Sequence, residues 1–545
     1  MPALRQNVDL VRWQDYADMT EPLLARLARE ASGQARAVAD AEGHFSAQAT
    51  VAIDRSVEPF AVTLTLVPGE ATRVRSVRVA VTGAAQDDVP AGTDAIASAQ
   101  GGWLLGRGSV FRQDAWEAAK SRAVEAIRAS PYASAAIARS RADVDPEAHA
   151  ADLDVEIASG PPFRFGRLEV RGLVRYPVSL VRNFSTLVEG DRYSREALHA
   201  FLRRLDATGY FASVQAAIDD DPAHAGEAAV RVDVIEAPTK RIEVGVGYST
   251  DTAYRGNLSW RDVDFAGRAI QFSVDARVES KVLDATVRFV RPPDARGWRD
   301  SAGAHVERTD IERLVTRTAY AAVRRQSVDE RRQPAFGAAY YVDEQRPDGG
   351  EAVDAHALYV DGAWTRRDVD DLVAPARGHV VALQAGAGIP GISTRGFGRA
   401  IAQFQAWHPI GRASGVTLRV EAGAVLARSR EGVPSTLLFR TGGDATVRGY
   451  AYQSLGVKRD GAVLPGRYYA LASVEATRWF SETWGAALFV DAGNAGDEAG
   501  DLAKPAVGYG IGARMRTPIG PFRLDVAYGH DDRRVRVHFS VGLAF

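Results

Sequence analysis

The sequence predicts small α+β modules over its first 240 residues, followed by an all-β barrel of about 16 antiparallel strands in a membrane over the remaining 305. Three observations carry that prediction. A short α+β pattern recurs three times before residue 245. From Arg241 onward, strand-length segments alternate in polarity and helical periodicity fades. Sixteen such segments can be counted, about 19 residues for each strand and its turn, the spacing of transmembrane strands of about 10 residues.

The recurring pattern is an alternating strand, a turn, and a basic residue opening another alternating strand. Leu64–Gly69 is followed by Arg73–Val79, Leu153–Gly160 by Arg164–Val170, and Val230–Ala237 by Arg241–Val244. A helical stretch ending in a small turn and an aromatic precedes each copy, at Ala41–Phe45, Ser130–Tyr132 and Ala207–Phe211. Trp116, Ala119, Ala123 and Ile127 fall at helical spacing, as do Leu198, Phe201, Leu202 and Leu205, with Arg203 and Arg204 on the other face. Each unit reads as strand, two helices and two strands, with helices on one face of a small sheet whose free edge can accept an extended peptide. A spacer role fits the same pattern, because edge pairing is generic backbone chemistry. The expected units are residues 1–72, 73–160 and 161–240, with the barrel at 241–545. The first departs from the pattern. Residues 1–30 begin in a helical stretch (Leu23, Leu24, Leu27) with no opening strand, so the chain is expected to start inside that module.

The candidate barrel strands begin near Arg241, Tyr254, Ala269, Val282, Ser301, Val315, Pro334, Asp354, Gly378, Gly396, Gly415, Arg467, Trp484, Ala506, Pro521 and Val535. In the first, Ile242, Val244, Val246 and Tyr248 oppose Glu243, Gly245 and Gly247. In the last, Val537, Phe539, Val541, Leu543 and Phe545 oppose His538, Ser540, Gly542 and Ala544. Lipid outside and a wet lumen inside require such faces. A soluble sandwich alternates equally well; the even strand count and aromatic terminus favour the barrel. Closure requires the last strand to pair with the first, leaving no free edge. Gly245, Gly247 and Gly542 bring no side chains to that lateral seam and should weaken it.

Composition excludes several classes. Lys plus Arg is 67 and Asp plus Glu 69, so the net charge of −2 lacks the basic excess of a nucleic-acid binder. Without cysteine there are no disulfides, thiolate–zinc sites or cysteine nucleophiles. Gly378–Thr394 is free of Asp, Glu, Lys and Arg, but its glycines and Pro390 rule out a membrane-crossing helix. Met1–Gln6 has no charged head leading into an apolar stretch, so either a cytosolic chain or an altered N-terminus is expected. Gly386–Gly391 fits the dinucleotide fingerprint in letters only, since Pro390 and the Gly-rich tail open no helix. The histidines are scattered, Asp219–Pro222 reads as a solvated turn, and no nucleophile elbow occurs. No enzyme, metal or cofactor is expected.

Between the strands near Gly415 and Arg467 lies a connection of roughly 40 residues, far longer than a hairpin turn. It contains Gly442-Gly443-Asp444-Ala445-Thr446-Val447-Arg448-Gly449-Tyr450. This segment resembles the sixth extracellular loop of the outer-membrane assembly-barrel superfamily, whose signature falls here on Val447, Arg448, Gly449 and Tyr450, with Gly443 ahead of it. The N-terminal units resemble POTRA domains, the periplasmic modules of such barrels. Thr517–Gly529 resembles the superfamily's penultimate hairpin, and Phe545 its terminal recognition signal. With three POTRA-like units, the order resembles the TamA-like group. The resemblance implies that the loop folds into the lumen and that Arg448 pairs with Asp491 in Phe489-Val490-Asp491-Ala492-Gly493. Alternation sets Asp491 opposite Leu488 and Val490, toward the lumen, and a guanidinium inside a barrel calls for a fixed carboxylate.

The same resemblance implies an outer-membrane insertase with its POTRA units in the periplasm. Its clients would be unfolded outer-membrane or autotransporter proteins, entering the bilayer through the seam between first and last strands. A TamB-like, inner-membrane-anchored partner and outer-membrane lipid complete the expected surroundings, with no nucleic acid. A secretion channel passing its client through the lumen is the alternative from another class. A soluble binding module is the third.

Overall fold

The computed structural model describes residues 2–16, 18–57, 59–372, 374–517 and 520–544. The chain forms two compact units. One comprises Met1–Arg171, Leu187–Arg204 and Val214–Asp233; the other comprises Gly172–Thr186, Leu205–Ser213 and Val234–Phe545.

The first module rests on the helix Glu21–Ala41, which has Pro22 in its first turn, where a missing N–H costs nothing. Its apolar stripe, Leu24, Leu27, Ala31, Ala35 and Val38, packs on a two-stranded sheet, Gln48–Asp54 with Ala61–Val67. Among the described residues no strand precedes that helix. The second module has the expected order: strand Arg73–Thr82, helices Ala91–Gly101 and Gln113–Arg128, then strands Ala136–Asp145 and Ala150–Ala158. Ala150–Ala158 is central, parallel to the first strand and antiparallel to its hairpin partner. Trp116, Ala119, Ala123 and Ile127 are buried against it, and each large side chain so buried contributes roughly 1.5–3 kcal/mol. The third module repeats the order with Phe165–Arg171, Val178–Phe184, Arg195–Asp206, Phe211–Ile218 and Ala228–Glu236. Leu198, Phe201 and Leu205 form the buried stripe of its second helix, with Leu202 at the margin.

From Lys240 the chain becomes a closed antiparallel barrel of sixteen strands among the described residues. They are β1 Lys240–Ser249, β2 Ala253–Phe265, β3 Ile270–Glu279, β4 Val282–Val290, β5 Trp298–Ile311, β6 Leu314–Ser327, β7 Arg332–Pro347 and β8 Val353–Val369. The second half is β9 Gly378–Gly388, β10 Phe397–Ile410, β11 Ser414–Leu426, β12 Tyr468–Trp479, β13 Trp484–Gly496, β14 Ala506–Thr517, β15 Gly520–Gly529 and β16 Arg534–Ala544. Every start lies within three residues of its expected position. Period-two alternation survives because each strand faces lipid on one side and the lumen on the other. Ile242, Val244, Val246 and Tyr248 are exposed on the outer face of β1, whereas Gly245 is buried. On β16 Val537 is exposed and His538 buried, with Phe539 between the two in exposure. No helix among the described residues is long and apolar enough to cross a membrane; the barrel crosses with strands. Val541 and Leu543 are defined here by backbone pairing, and Phe545 lies outside the described residues.

Candidate functional site: the lumenal loop and the seam

The connection from Leu426 to Tyr468 folds into the barrel. Val447 and Tyr450 are buried in an apolar cluster with Tyr359, Phe397, Val425 and Leu471. Two glycines let the tip turn and lie close to the wall. Gly449 sits at φ +93°, and a Cβ there would lie 2.7 Å from the backbone nitrogen of Gly529 on β15. Gly443 sits at φ +105°, where a Cβ would lie 2.6 Å from an Asp251 carboxylate oxygen. Only glycine meets both demands at each position. The Tyr450 hydroxyl donates to Asp531 Oδ2 at 2.9 Å and accepts from the Asp531 backbone N–H at 3.1 Å.

Arg448, between these anchors, is 7% exposed and Asp491 is fully buried. The guanidinium forks onto Asp491, with Nε donating to Oδ2 at 2.7 Å and Nη2 to Oδ1 at 2.9 Å. The Arg448 backbone N–H also donates to Asp491 Oδ2, at 3.1 Å, and Ser473 Oγ donates to Oδ1 at 2.7 Å. Phe489, two residues before Asp491, lies under the guanidinium at 3.4 Å. The pair named from the sequence is thus brought together, but it is part of a larger set. Arg448 Nη1 also reaches Glu475 on β12 at 2.8 Å and Asp525 on β15 at 3.2 Å. Arg514 on β14 bridges the same two carboxylates, at 2.8 and 2.5 Å. Two guanidiniums therefore hold three carboxylates, and the five side chains come from the loop and four consecutive strands. Sequence reading missed Glu475, Arg514 and Asp525 as members. Alternation marks Glu475 as inward, since Val474 is exposed, but which inward charges meet depends on strand stagger.

The network ends at the seam. Asp525 stands opposite His538 in the β15–β16 ladder. His538 Nε2 accepts the Gly449 backbone N–H at 2.9 Å, so its proton sits on Nδ1, which lies 3.6 Å from Asp251 Oδ1. Arg536 on β16 donates to the Gly449 carbonyl at 2.6 Å. On the other side, Asp251, in the turn after β1, accepts the Asp444 N–H at 3.0 Å. The loop tip is therefore bonded to both margins of the closure. The closure itself is short. Among the described residues the β16–β1 ladder runs from Ser540↔Ser249 to Ala544↔Gly245, five pairs, whereas β1 and β2 share ten. Gly542 faces Gly247, and Lys240–Val244 have no β16 partner among the described residues.

A sequence profile described as the Omp85 superfamily domain matches residues 239–545, more than half of the chain. The chain belongs to the Omp85 superfamily. A POTRA profile, described as a surface antigen variable number repeat, matches residues 163–237. Outer membrane protein assembly factor BamA of Nitratidesulfovibrio vulgaris is 24% identical over 447 residues, covering 76% of this chain and 55% of that protein. The chain thus spans about half the length of this curated relative. BamA from Haemophilus ducreyi lacking POTRA domains 1–3 superposes with a TM-score of 0.58 at 16% identity, over 87% of this chain and all of the other. CdiB from Escherichia coli gives 0.50 at 13% identity, over 88% and 91%. At these identities the likeness is one of fold: POTRA architecture followed by a 16-stranded barrel. This Omp85 protein resides in the bacterial outer membrane with its POTRA modules in the periplasm.

Proposed function

We propose that this Omp85 protein inserts β-rich clients into the outer membrane by pairing a client strand with β1 where the seam with β16 parts. The observation that carries this reading is the five-pair closure with Gly247 facing Gly542. Only the few backbone hydrogen bonds of that short ladder, worth about 1 kcal/mol each net in water, separate a closed seam from an open one. In lipid the freed groups cannot turn to water, so an opened edge needs a replacement strand. An unfolded outer-membrane or autotransporter protein offers that strand, and backbone pairing accepts it without regard to side chains. The chemistry needs no enzymatic step; folding of the client supplies the free energy.

The finer grouping with the TamA-like proteins belongs to this proposal, and with it a TamB-like partner. It rests on three POTRA-like modules and on the wording of the loop, because the relatives named are BamA and CdiB. A secretion channel through the lumen is less well supported, since the bonds that hold the loop tip would have to break to clear a path.

The test uses the chain's lack of cysteine. Val246 and Leu543 are direct partners across the seam. Val246→Cys with Leu543→Cys, oxidised, should abolish client insertion into proteoliposomes, and reductant should restore it. An oxidised variant that inserts clients at the wild-type rate overturns the proposal.

A further inference from the structure

We propose that the periplasmic end of the barrel's outer face holds an anionic diacyl phospholipid, its phosphate on Arg268 and Arg291 and one acyl chain in the groove beneath them. The groove has a volume of about 690 Å³ and is lined from β2 to β7, within the range of small-molecule sites. Phe265 and Phe289 form one wall, with ring centroids 5.6 Å apart, and Phe272 stacks behind them at 5.1 and 4.6 Å. Val323 and Phe336, both more than half exposed, form the other wall. Ala302 and Ala338 line the space between them with small side chains. By alternation these residues share the lipid-facing side of their strands with Val306 and Tyr340, both exposed.

The charge at the mouth is what identifies the occupant. Arg268, in the turn after β2, and Arg291, just beyond β4, line the groove, are exposed, and have no ion pair among the described residues. Arg325 beside them is already committed: it lies over Trp298 and pairs with Asp294 and Asp300. At the opposite end of β5 to β7 several arginines are matched. Arg317 and Arg346 both hold Glu344, at 3.1 and 2.8 Å, and Arg308 lies 3.6 Å from Asp310. Unmatched guanidiniums above an apolar groove thus occur where β1 enters from the POTRA modules, the level of the inner-leaflet head groups. A guanidinium suits phosphate because its planar fork offers paired donors. The turn that carries Arg268 is also fixed in place. The Tyr210 hydroxyl donates to the Ala269 carbonyl at 2.6 Å, and Gln271 Nε2 donates to the Thr208 carbonyl at 2.7 Å.

Native mass spectrometry of the full chain in detergent micelles tests the site. Titration with phosphatidylglycerol should give retained adducts, and phosphatidylcholine or glycerol phosphate alone should give few. Arg268→Gln with Arg291→Gln should weaken phosphatidylglycerol retention about 30-fold, the effect of two interfacial cations. Ala302→Leu, which fills the groove, should weaken it while leaving both arginines intact. Retention unchanged in the double glutamine variant overturns the proposal, and that variant alters only exposed side chains should Ala302→Leu fail to fold. Glycerol phosphate held as tightly as the lipid, or phosphatidylcholine held as tightly as phosphatidylglycerol, would equally overturn it.

Discussion

Arg448 and Asp491 define what a single residue contributes here. Asp491 is fully buried, and its two oxygens take the arginine fork, the Arg448 N–H and the Ser473 hydroxyl. Removing the guanidinium strands a carboxylate, which costs about 3–5 kcal/mol where a buried pair is broken. Arg448→Ala should therefore release the loop tip, seen as protease cleavage within Gly442–Gly456 and a lower temperature for loss of heat-modifiable gel mobility. Arg448→Lys should fall between, because an ammonium cannot fork. The wider network changes the outcome of charge reversal. Aspartate at 448 would face Glu475 and Asp525 with Arg514 already bridging both. The double reversal of Arg448 and Asp491 should thus fail to rescue, and full rescue would mean that the pair acts alone.

At the scale of elements, one side chain ties the end of the third module's last strand to the turn after its first. Glu236, the last residue of the module strand Ala228–Glu236, accepts from the backbone N–H groups of Val174, Arg175 and Tyr176 and from Arg175 Nε. Burial works to raise its pKa, but Arg175 and the three N–H donors outweigh it and hold the carboxyl down at about 2. A depressed carboxylate stabilises the fold above its unfolded pKa of about 4.5 and loses that contribution as pH falls toward 2. Hydrogen exchange at Val174–Tyr176, corrected for intrinsic rates, should stay slow down to pH 4 and quicken toward pH 2. Glu236→Gln should lose about 2 kcal/mol of that protection, roughly 30-fold in rate, already at pH 7. Equal protection in both proteins would mean that Glu236 does not hold this turn. None of these partners was legible beforehand, and the reason is general. Strand and helix positions could be read because burial imposes a period: two in β1–β16, about 3.6 in Arg195–Asp206. Asp491 could be read because its inward face and motif agreed. Glu236, Glu475, Arg514 and His538 depend on which strand lies beside which, and at what stagger. Val541 pairs with Tyr248 and Leu543 with Val246, a register that no local pattern sets.

Across the whole molecule, the loop ties the lumen to the seam. Two cavities of about 530 and 520 Å³ lie beside the tip, and Asp444 and Ala445 line both. From there, bonds pass through His538 and Arg536 to β16 and through Asp251 to the turn after β1. One segment therefore stands in the lumen and is bonded to both margins of the seam. A short ladder alone would open without regard to the loop, whereas a ladder clasped from inside opens only when the tip shifts. Replacing Gly442–Gly456 with a short Gly-Ser linker separates the two consequences. In planar bilayers the variant should conduct ions where the parent conducts little, because the tip no longer stands in the lumen. The Val246→Cys, Leu543→Cys pair built into the variant should also scramble more readily with added thiols, as the strands part more often. Raised conductance with an unchanged rate of thiol exchange would show that the loop only plugs the lumen. Both rising together would identify the clasp.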